Sequence, residues 1–97
     1  MNYVTLFFTG AFFCNAIPHL AAGLQGMPFP TPFARPRGVG NSSPFVNFLW
    51  GTFNLCVGIF LLSRASLLIG GNLECLSILA GALALGSYIS IHFGKVR

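Results

Sequence analysis

Apolar positions run in three long blocks, about 2–24, 44–63 and 71–93, separated by short stretches where Pro, Gly, Arg and Ser collect. An apolar helix of about 20 residues spans a hydrocarbon core of about 30 Å. The pattern therefore predicts an all-α integral membrane protein, a single membrane domain over 1–97 with three transmembrane helices. Pro18 falls inside the first block and leaves the carbonyl of Cys14 without its helical partner, which predicts a kink between them. Ser43 is a natural N-cap and Pro44 suits the first helical position, so the second helix starts there, and Arg64 marks its end. A turn containing Gly70-Gly71 leads to the third helix, with Leu67–Ile69 either lengthening that helix or lying in the interface. Asn2 begins the first helix, and Gly94, Lys95, Val96 and Arg97 form a basic tail beyond Phe93.

The connection over 25–43, QGMPFPTPFARPRGVGNSS, is of another kind. Pro28, Pro30, Pro32 and Pro36 exclude a regular helix, and their alternation predicts extended, polyproline-like backbone. Phe29 and Phe33 can dip into the membrane interface while Arg35 and Arg37 stay among the headgroups. The expectation is an ordered surface loop or interfacial flap.

Composition sharpens the membrane reading. Hydrophobic residues are 55% of the chain and charged residues 6%, against about 25% charged in a soluble domain. The net charge of +4 comes with no basic stripe or stacking platform, so nucleic acid is not an expected partner. Arg35, Arg37, Lys95 and Arg97 share one side of the predicted topology and Arg64 has the other, a bias that puts the N-terminus outside and the C-terminus in the cytoplasm. The same four cations are the expected contacts to lipid headgroups. The apolar run ends loosely like a cleavage site near Cys14-Asn15-Ala16. No basic residue precedes it and it continues to Leu24, so a retained helix is expected rather than a signal peptide. Cys14, Cys56 and Cys75 lack metal-type spacing and read as small packing residues, with a Cys56–Cys75 disulfide conceivable but not favoured.

Helices in lipid associate through small residues and polar side chains. Asn47, Gly51, Asn54 and Gly58 form one such stripe, and Ala11, Asn15 and His19 form another. Run antiparallel, they place His19 level with Asn47 and Asn15 near Gly51. The third helix carries two small rows, Ser77 with Gly81 and Ala82 with Gly86 and Ser90. Either both rows serve the monomer or one meets a second chain.

His19, beside Pro18, is the ionisable group within the first predicted span, and such groups are functional suspects. With Asn47 and Tyr88 it can form a polar pocket under the Arg35/Arg37 loop, holding a quinone or lipid headgroup or assisting proton movement. The competing reading is a neutral structural histidine satisfied by Asn47 or a freed carbonyl. His92 sits too near its helix end to face His19 squarely, and no c-type haem attachment motif is present, so haem is not expected. Glu74, preceded by Asn72, fits as a helix-dipole partner in a first turn, with Arg64 as an alternative partner. Tyr3 suits the outer interface and Trp50 a helix or subunit contact. There is no Asp and a single Glu, and no catalytic triad, phosphate loop or zinc signature, so neither an enzyme nor a required metal or cofactor is expected.

The segments NAIPHLAAG, FPTPFARPRGVGNSSP and NFLWGTFN, within about 14–58, resemble those of small bacterial inner-membrane proteins. The resemblance implies a bacterial inner-membrane location and carries no activity with it. The functional expectation is an accessory or stabilising subunit of a larger membrane complex, an energy-converting one among the options, with membrane lipids and other subunits as partners. The alternatives are a homo-oligomeric channel or small transporter lined by Asn47 and Asn54, and a quinone- or lipid-binding anchor.

Overall fold

The structure is a computed structural model that describes residues 3–64 and 73–96. It contains α1 (Tyr3–Leu24), β1 (Phe29–Pro30), β2 (Asn41–Ser42), α2 (Pro44–Ser63) and α3 (Leu73–Val96). The helices have 22, 20 and 24 residues, and all three are long and apolar enough to cross a membrane. At 1.5 Å per residue they reach about 30–36 Å. The expectations placed on Asn2, Leu67–Ile69, Gly70, Gly71, Asn72 and Arg97 lie outside the described residues.

α2 begins as its sequence predicts. Ser43 caps it in extended backbone, its side chain accepting a hydrogen bond from Val46 N at 3.2 Å, and Pro44 occupies the first turn. α1 runs unbroken through Pro18. α3 does not stop at Phe93: it continues through Gly94 and Lys95 to Val96. No proline follows to break it, glycine in a last turn is only a weak breaker, and Lys95 there complements the helix dipole.

The loop also departs from a purely extended run. Phe29 pairs with Ser42 and Pro30 with Asn41 in a short antiparallel ladder. Proline is tolerated on such an edge because its missing N–H faces away from the partner strand. Inside the ladder, the buried Thr31 organises the turn. Its carbonyl accepts from Ala34 N at 3.1 Å and Gly38 N at 3.0 Å, and its hydroxyl meets that of Ser42.

α1 is the central helix. It packs on α2 along one side and on α3 along another, whereas α2 and α3 scarcely meet among the described residues. The buried residues of α2 are Asn47, Gly51, Asn54 and Gly58, the whole of the predicted stripe. Gly51 receives Leu20 and Gly58 receives Phe13; His19 meets Asn47 as predicted, whereas Asn15 lies against Asn54, not Gly51. The glycine hollows accept the bulky side chains of α1, and the amides then find each other. On α3 both small rows turn toward α1: Gly81 lies on the backbone of Phe7, Ala82 near Gly10, and Gly86 near Cys14. The three cysteines are free.

Candidate functional site

The loop, the end of α1, the start of α2 and the end of α3 converge at one end of the bundle. His92 of α3 reaches Gly38 O with Nε2 at 2.7 Å, and Phe93 packs edge-on to Phe29 with ring centroids 4.6 Å apart. These contacts clip α3 to the loop. Gly38 has φ of 71°, a left-handed conformation that favours glycine. Exposed Arg35, Arg37 and Lys95 therefore lie at the same end.

Between these elements is a cleft of about 350 Å³ whose lining includes His19, Arg37, Trp50, Tyr88 and His92. His19 forms its floor and is 2% exposed. Its Nδ1 lies 2.7 Å from Asn47 Oδ1. The amide of Asn47 is oriented by three carbonyls: Nδ2 donates to Phe29 O at 2.9 Å, Ser43 O at 3.1 Å and Ser42 O at 3.2 Å. With its N–H groups committed to acceptors, Asn47 can only accept from His19. Nδ1 of His19 is thus the donor, and a neutral ring carries its lone pair on Nε2. Among the described residues the one fully buried side-chain nitrogen or oxygen without a partner is Trp50 Nε1. Nε2 of His19, which has no hydrogen-bond partner either, therefore reaches open space, and the cleft is the space His19 lines.

Trp50 stands between floor and loop. Its ring meets His19 edge-on at 6.4 Å and Phe33 edge-on at 5.1 Å, and stacks on Phe53 at 5.6 Å. Its contacts are thus to α1, to the loop and to its own helix. Tyr88 is on the rim, 66% exposed, its ring parallel to that of His92 at 6.1 Å.

The residues predicted to form the pocket take unequal places. His19 and Asn47 are joined, Tyr88 stands apart on the rim, and Asn47 lies behind His19 instead of lining the cleft. His92, expected to be too shallow to face His19 squarely, lines the same cleft with its Nε2 turned to Gly38 O. Thr31 and Gly38 also help build it and were not singled out in the sequence. A hydroxyl flanked by two prolines, and a glycine following Arg37, were the available signals. Deeper in the bundle, Asn15 Nδ2 donates to Asn54 Oδ1 at 3.0 Å, and Asn54 Nδ2 donates to Trp50 O at 2.8 Å. Glu74 is in the first turn of α3, and Arg64 lies over the ring of Phe60 at 5.8 Å. Among the described residues no cluster of His, Cys, Asp and Glu is suited to a metal ion. Compared with known proteins, the chain matches no family model, no curated sequence and no solved structure.

Proposed function

We propose that this chain is a non-catalytic, three-span accessory subunit that stabilises a larger membrane assembly. In this reading it resides in a bacterial inner membrane, with the N-terminus outside and the cationic loop in the cytoplasm. Arg35, Arg37, Lys95 and Arg97 lie among the lipid headgroups. The observation that carries the reading is the outward face of α3. The only buried residue of that helix is Gly81. Ala80, Ala84 and Ser87 form an exposed small-residue stripe at steps of four and three, bordered by exposed Leu76, Leu83 and Ile91. Small residues on such a face let a neighbouring helix approach closely.

The channel alternative loses its support. Asn47 and Asn54, which would line the pathway, are 0% and 1% exposed and bonded to His19 and Asn15 of the same chain. The accessory reading is tested by purifying the tagged chain from its native membrane in mild detergent and identifying what accompanies it by mass spectrometry. A stoichiometric membrane partner that Ala84→Phe displaces is the expected result. Recovery of a lone monomer in repeated preparations would remove the proposal.

A further inference from the structure

The geometry points to a second role, independent of the accessory one: the cleft over His19 binds the headgroup of a lipid-soluble quinol, whose ring hydroxyl donates to His19 Nε2. Three observations combine. First, the acceptor is built and oriented. Asn47, itself fixed by three backbone carbonyls, turns Nδ1–H of His19 inward and leaves Nε2 unpartnered toward the cleft. A purely structural histidine needs only the first half of this arrangement. A buried hydrogen-bond acceptor so oriented and left without a partner calls for a donor.

Second, the walls suit a flat ring. Trp50, Phe93 and the parallel Tyr88–His92 pair all line the cleft. Aromatic rings favour offset-stacked and edge-to-face neighbours. The cleft volume of about 350 Å³ is at the small end for ligand pockets, roughly 300–1,000 Å³, and matches a single headgroup. Third, the depth is right for an amphiphile. His19 lies five residues before the end of α1, about 7–8 Å at 1.5 Å per residue. An amphiphile's ring can enter at that level while its tail remains in the hydrocarbon. Arg37 at the mouth marks the headgroup side.

A hydroxyl donor can come from a quinol or from the glycerol of phosphatidylglycerol; the aromatic walls favour the quinol. A quinol brings the donor that an unprotonated Nε2 needs, and the oxidised quinone lacks it.

Trp50 is the chain's single tryptophan and lines the cleft, so its emission reads occupancy directly. The detergent-purified chain is titrated with a one-isoprene ubiquinol kept reduced, with its oxidised form, and with phosphatidylglycerol micelles. Saturable quenching by the quinol is expected, with at least fivefold weaker binding of the quinone. His19→Asn keeps an N–H for Asn47, but its shorter amide puts no acceptor at the position of Nε2, and it should weaken quinol binding tenfold or more. Linear, unsaturable quenching, or wild-type affinity in His19→Asn, overturns the proposal. Complete displacement of the quinol by phosphatidylglycerol at equal concentration does the same, by assigning the site to lipid. Should His19→Asn unfold, exposed Arg37→Gln and Tyr88→Ala carry the test: weaker binding in either supports the site, and wild-type affinity in both overturns it.

Discussion

Toward α2, helix α1 presents His19 and Asn15, each hydrogen-bonded to an asparagine of its neighbour; toward α3 it presents Gly10 and the backbone of Phe7. The first side is stitched by polar side chains and closed above by a structured loop. The first side also comes close at Gly23, but on the second the helices approach more tightly still, backbone on backbone. A Cβ placed on Gly10 would enter the carbonyl of Ile78, and one on Gly81 the carbonyl of Phe7. Both solutions answer the same constraint, since in lipid apolar contact alone gives helices no reason to prefer each other. They fail differently, however. Polar stitching tolerates small shifts in spacing but not the loss of a partner. Backbone contact tolerates loss of side chains but not one added carbon.

Gly81→Val is the harshest way to break the contrast. The new side chain meets backbone that cannot swing aside, so α3 must separate from α1. Overpacking costs about 1–3 kcal/mol, and the upper end or beyond is expected here. A lower thermal midpoint in detergent, with α3 becoming accessible to thiol reagents at Cys75, is the signature. A midpoint unchanged from wild type would mean that the helices do not approach so closely.

Asn47→Leu tests the stitched side. It removes the acceptor of His19 and the donor to three carbonyls at once. A buried group left unpaired costs about 1–3 kcal/mol, whereas single interhelical hydrogen bonds in membranes average about 0.6 kcal/mol. A loss of about 2 kcal/mol is expected, with the loop released with α2, visible as faster proteolysis near Arg35 and Arg37. If stability falls but the loop keeps its protection, Asn47 is not what fastens the ladder.

Gly86→Ala should do least and so sharpens the comparison. Its Cβ would lie 3.2 Å from Cys14 Sγ, a side-chain atom that can move. A change within about 0.5 kcal/mol is expected. A loss as large as that of Gly81→Val would show that the small residues of α3 act by number and not by what each faces.

How much could be read beforehand follows the range of the interactions. The spans, the Ser43–Pro44 start of α2 and the stripe on α2 are local patterns, and each is visible in a few consecutive turns of sequence. The pairing of Asn15 with Asn54 was missed because register depends on where Leu20 and Phe13 find hollows on the other helix. The ladder of Phe29–Pro30 with Asn41–Ser42 was missed because proline alternation also fits an unpaired chain. The contact of His92 with the loop was not foreseen because depth was counted along α3 alone. The loop folds down to meet it, bringing Gly38 O within 2.7 Å of its Nε2.

The central position of α1 also bears on the order in which the protein is made. Synthesis delivers α1, then α2, then α3, and domains assemble as they emerge. The imidazole and amides can be matched as soon as α2 follows α1, so the hairpin of the first two helices satisfies those groups by itself. The glycine hollows of α1 then receive α3.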